Sequence, residues 1–75
     1  MKPTKTIKLL AAWLLCNGHE NIRIEEEKVS STFSNQTWEF SAVRDGTGVF
    51  VEYRLDTFYF YRDGKLIKKT EFKDE

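Results

Sequence analysis

Catalytic and metal chemistry have little to draw on in this chain. It carries one cysteine, one histidine, one methionine and one proline among 75 residues. A single thiol, Cys16, excludes an intramolecular disulfide framework, so stability must come from core packing, and a reducing, cytoplasmic setting fits. Cys16 and His19 alone cannot complete a zinc site, which takes four ligands in its structural form. As a nucleophile and base they lack an obvious group to orient the imidazole. Glu25, Glu26 and Glu27 are adjacent, so a strand splits them across its two faces instead of converging them on a cation or a reacting atom. No P-loop and no dinucleotide-binding glycine pattern is present. These absences argue against an enzyme and against any metal or cofactor. His19 reads as a solvated residue at a helix exit.

An excess of charge is missing too. The 12 basic and 12 acidic residues balance, so no global field draws the chain to nucleic acid or to an anionic membrane. Long apolar runs are also absent. Lys2, Lys5 and Lys8 ahead of Leu9–Cys16 have the outline of a short secretory signal, but that run is far below the ~20 residues a bilayer span needs. A lipoprotein signal would need a small residue where Leu15 stands. The segment therefore reads as a helix, and 1–75 as one small domain.

What is present is regular patterning. Thr4 or Thr6 can cap a helix over 5–17, and Asn17-Gly18 supplies its stop. At ~100° per residue, Ile7, Leu10, Ala11, Leu14 and Leu15 share one face. Leu9, Trp13 and Cys16 form a second stripe on nearly the opposite side, either partly covered by a loop such as Ser30–Thr37 or free to form an interface. Ile22 and Ile24 open a first strand running into Glu26-Glu27-Lys28. Ser30–Thr37 is polar and reads as a loop with Phe33 as its anchor.

Two Asp-Gly pairs, Asp45-Gly46 and Asp63-Gly64, flanked by aromatic and β-branched residues, signal hairpins. In the first, a four-residue loop pairs Glu39 with Arg54 and Phe40 with Tyr53 and avoids opposing two glutamates. The last hairpin pairs Tyr61 with Leu66 and Phe60 with Ile67. Leu55-Asp56-Thr57 must turn the chain between them; one long bent strand from Val49 to Arg62 is the alternative. The expected fold is α+β, an N-terminal helix packed on a four-stranded antiparallel meander (αββββ).

One helix covers one sheet face, yet apolar rows fall on both. With the turn at Leu55, Phe58, Phe60 and Ile67 face the core, while Tyr59, Tyr61 and Leu66 point away beside Phe50 and Val43. The candidate interaction surface is therefore Leu9, Trp13, Phe50, Tyr59, Tyr61 and Leu66. Arg54, Arg62, Lys65, Lys68 and Lys69 form a candidate basic patch. The first strand is acidic and the last basic, which protects both as sheet edges. The leading expectation is a non-enzymatic protein-interaction module, an accessory or inhibitory factor that binds a protein partner or itself, with a homodimer as the default. A weak single-stranded nucleic-acid binder using the Tyr/Arg/Lys face ranks second. No membrane and no small-molecule substrate is expected.

Overall fold

The computed structural model describes residues 2–44 and 48–73. It has one helix, α1 (Lys5–Cys16), followed by six strands. These are β1 (Glu20–Ile24), β2 (Lys28–Phe33), β3 (Gln36–Ser41), β4 (Val49–Arg54), β5 (Thr57–Arg62) and β6 (Lys65–Glu71). They form one sheet in the order β1-β2-β3-β4-β5-β6. The α+β class holds, but the sheet has six strands and is mixed, where four antiparallel strands were expected.

Local chemistry sets both ends of α1. The Thr4 side chain accepts from the Ile7 amide at 3.2 Å, and the Thr4 amide donates to the Glu26 carbonyl at 2.9 Å. At the other end Gly18 takes φ +87°; its amide donates to Leu15 O and the His19 amide donates to Leu14 O. These are the paired bonds of a Schellman stop, which needs a residue tolerant of positive φ.

The segment expected to be a loop, Ser30–Thr37, is instead a hairpin. Ser34 and Asn35, at φ +53° and +63°, close it in the conformation of a type I′ turn. Its serines and threonines hid a period of two: Val29 and Ser31 are buried, while Ser30 and Thr32 alternate to the other face. With β2 in place, Trp38–Ser41 pairs antiparallel with it and not with β4. Glu39 lies opposite Ser30 and Phe40 opposite Val29, so the expected Glu39–Arg54 and Phe40–Tyr53 pairs do not form. β3 and β4 run parallel and meet at the single pair Ser41↔Phe50. The Asp45-Gly46 turn falls outside the described residues.

The second half follows its pattern closely. Leu55 and Asp56 form a two-residue turn at φ +51° and +57°, and no long bent strand exists. Asp63 and Gly64 close the last hairpin at +52° and +82°. Tyr61 pairs with Leu66 as expected, but a bulge sets Phe60 opposite Lys68 and leaves Ile67 half-exposed. Glu25–Glu27 connect β1 to β2 and are not strand residues. The molecule is therefore two three-stranded meanders, β1–β3 and β4–β6, joined by one parallel contact.

The core gathers Ile7, Leu10, Ala11 and Leu14 of α1 against Val29, Phe40, Val51, Phe58 and Phe60. Leu9 joins it as well and so leaves the candidate interaction surface, while Cys16 of the same stripe is exposed; Leu15, placed in the core by its spacing, is 67% exposed. A sheet of six strands reaches round more of the helix than four would, so a second stripe finds cover. Trp13 packs on Phe60 and Phe58 with ring centroids 5.5 and 6.0 Å apart.

Candidate functional site

Two surfaces combine aromatic rings with cations, one on each side of the sheet. The outer one belongs to β4–β6. Strand register sets Phe50, Tyr61 and Leu66 in one cross-strand row, and Glu52, Tyr59 and Lys69 in the next. Alternation aims Val51, Phe58 and Phe60 at the helix, so their neighbours must face the other way. Among the described residues the only helix packs on the inner side, and no element covers this row.

Arginines sit over these rings. The Arg44 guanidinium sits 5.0 Å from the Phe50 centroid and 5.1 Å from that of Tyr61. Arg54 lies 4.2 Å over Tyr59 and donates from Nε to Glu52 at 3.0 Å. That hydrogen bond raises the Arg54 pKa further above its ordinary value, so the group stays charged. Sequence spacing grouped Phe50, Tyr59, Tyr61 and Leu66, and strand register sets them in adjacent rows. It missed Arg44, whose contact with Phe50 spans the connection between β3 and β4.

The inner surface is a cleft of about 270 Å³ beside the C-terminal turn of α1. Trp13, Trp38, Phe40, Val49, Phe60 and Ile67 form its apolar walls, and Asn17, His19, Arg62 and Lys68 border it. The cleft exists because β3 and β4 share only one pair and diverge beyond it. The Schellman stop delivers His19 to its floor. There the imidazole is buried, its Nδ1 lies 2.7 Å from the Ser31 hydroxyl, and its ring stacks on Phe33 at 4.6 Å. His19 is therefore not a solvated helix-exit residue, and burial lowers its pKa below 6.5. The signal for this was the alternation Val29, Ser31, Phe33, which places a small polar side chain on an inner face.

The basic patch is divided by the sheet. Arg54 and Lys69 belong to the outer surface, whereas Arg62 and Lys68 border the cleft. The Lys68 ammonium lies 5.4 Å from the Trp13 ring. Lys65 pairs with Arg62 across the last turn. Of the remaining candidates, Leu9 is buried and Trp13 is shared between core and cleft. Among the described residues no cluster of three or more His, Cys, Asp and Glu side chains is placed to hold a metal ion. Nor is any helix long and apolar enough to cross a membrane. No protein-family model matches this chain, and comparison with curated proteins and with solved structures gave no match.

Proposed function

We propose that this chain is a small non-enzymatic interaction module, an accessory or inhibitory factor that docks on another protein through the outer face of β4–β6. The observation that carries the reading is the partly exposed row Phe50–Tyr61–Leu66 with Tyr59 beside it, which among the described residues no helix or strand covers and only Arg44 and Arg54 overlie. Burying each such side chain is worth ~1.5–3 kcal/mol before ordering and desolvation losses. Tyrosine and arginine are also the residues that most often anchor protein interfaces.

Charge points to the kind of partner. Arg44, Arg54 and Lys69 surround the rings, against Glu52, already held by Arg54, and Glu71. A surface with an apolar centre and an acidic rim complements that arrangement. Two copies pressed face to face would bring the cations together, so a different protein is favoured over a homodimer. The strand edges do not offer an easier route. β1 carries a bulge between Glu20 and Arg23, and β6 carries Lys65, Lys68 and Lys69.

The same rings admit a second reading, weak binding of single-stranded nucleic acid. Base stacking needs open ring faces, and the guanidinium groups of Arg44 and Arg54 already occupy them. That places it second.

The test compares wild type with Tyr61→Ala in partner capture and in light scattering after size exclusion. The expected result is a monomer whose captured partner is lost in the variant while the unfolding midpoint changes little. Capture that persists in Tyr61→Ala overturns the assignment of this face. A dimer at high micromolar concentration that dissociates in the variant assigns the face to a second copy. Sub-micromolar oligonucleotide binding at physiological salt reverses the ranking of partner and nucleic acid.

A further inference from the structure

The inner cleft is a second site, separated from the outer face by the thickness of the sheet. An apolar cavity of about 150 Å³ takes up a benzene ring. At about 270 Å³ this cleft has room for a fused bicyclic ring, though not for a large drug-like molecule. Trp13, Trp38, Phe40 and Phe60 supply ring faces and edges for a planar aromatic guest. Trp38 and Phe40 are parallel to within 6° at 6.4 Å, and Phe40 meets Phe60 edge-on at 5.9 Å. The wall rings thus brace one another in stacked and edge-on pairs while also lining the cleft.

Polarity at the rim has one sign. Arg62 and Lys68 border the cleft, and no carboxylate does so among the described residues. The ammonium of Lys68 rests 5.4 Å from the Trp13 ring, a weak contact for an exposed side chain, so an anion can draw it away. His19 is fixed by Ser31, and its burial favours the neutral imidazole, so it adds a polar ring to the cleft. We infer that this cleft binds a planar aromatic anion, its ring between the tryptophans and its carboxylate or phosphate against Lys68 and Arg62.

Both tryptophans of the chain, Trp13 and Trp38, line the cleft, so their two indole N–H signals in a ¹H–¹⁵N spectrum report on it directly. The probes are 2-naphthoate with its neutral counterpart 2-naphthamide, and adenosine monophosphate with adenosine. Expected is a shift of both indole signals with at least one anion, and at least ten-fold weaker binding of its neutral counterpart. Which pair responds separates a carboxylate from a phosphate head group. Lys68→Met and Arg62→Gln should each reduce that preference several-fold while leaving the remaining signals dispersed. Tyr61→Ala, on the outer face, should leave it unchanged, so failure here and failure of the protein-docking reading are distinguishable. The inference is overturned if neither anion moves the indole signals at millimolar concentration. Equal binding of anion and neutral counterpart overturns it as well, as does a preference that survives in both cation variants.

Discussion

On the helix side, the first meander contributes Val29, Ser31 and Phe40 to the interior, and the second contributes Val51, Phe58 and Phe60. Turned over, the two differ sharply. β1–β3 shows Arg23, Ser30, Thr32, Thr37 and Glu39 around a shallow polar hollow. β4–β6 shows Phe50, Tyr59, Tyr61 and Leu66 beneath two arginines. Core formation accounts for the inner faces of both. It gives no reason for one outer face to be aromatic when its neighbour manages with hydroxyl groups. That surplus is why the docking surface is assigned to the second meander alone.

The largest effect expected from a single change tests whether the meanders share one core. Phe58 is fully buried and touches the rings of Trp13, Tyr53, Phe60 and Phe72. Phe58→Ala should cost ~3–5 kcal/mol. A chain of 75 residues has roughly 4–11 kcal/mol of stability in total, so the variant should be largely destabilised. Urea unfolding followed at Trp38, in the first meander, should report the loss as fully as any probe in the second. A Trp38 transition unmoved by Phe58→Ala would mean that the two meanders fold independently.

Next come the turns, where the two hairpins of the second meander use different solutions to one geometry. Gly64 at φ +82° has no atom within 4 Å of where a Cβ would stand, so Gly64→Val meets backbone strain and no clash. A cost of ~1–2 kcal/mol in the denaturation midpoint is expected. Leu55 holds a comparable conformation at φ +51° without glycine, and its side chain is 86% exposed. Leu55→Asn should therefore stabilise the protein, by ~0.5–1 kcal/mol. A neutral Gly64→Val or a destabilising Leu55→Asn would show that these positions do not set the hairpins.

These turns also explain how much was legible beforehand. Asp63-Gly64 announces a type I′ turn through a residue pair selected for positive φ, and Tyr61↔Leu66 followed from it. Ser34-Asn35 adopts the same backbone with residues equally common in loops, so a hairpin looked like a linker. Losing β2 then gave Trp38–Ser41 the wrong neighbour, because a strand's partner depends on which strands exist. The outer row survived this error since alternation within β4–β6 needs no knowledge of β1–β3. The cleft did not: it arises where β3 and β4 part, a tertiary feature with no local signature. His19 was misplaced for the same reason, its surroundings being assembled from α1, β2 and β3.

The smallest effect belongs to that histidine and has a definite sign. Burial disfavours the imidazolium, so the folded-state pKa lies below 6.5. Well above pH ~6.5 the ring is neutral folded and unfolded, and its titration contributes nothing. As pH falls, the unfolded chain takes up the proton first, and stability is lost until the folded-state pKa has been passed. The window from pH ~7.5 to ~5.5 isolates this step, because ordinary carboxylates titrate mostly below it. Unfolding free energy should decline across it in wild type and stay level in His19→Gln. Phe33 stacks on the imidazole and is itself 38% exposed, so Phe33→Ala should open the site to water and shrink the decline without abolishing it. The same slope in wild type and His19→Gln would show that the first meander's one buried polar pair, His19 with Ser31, is not what ties its stability to pH.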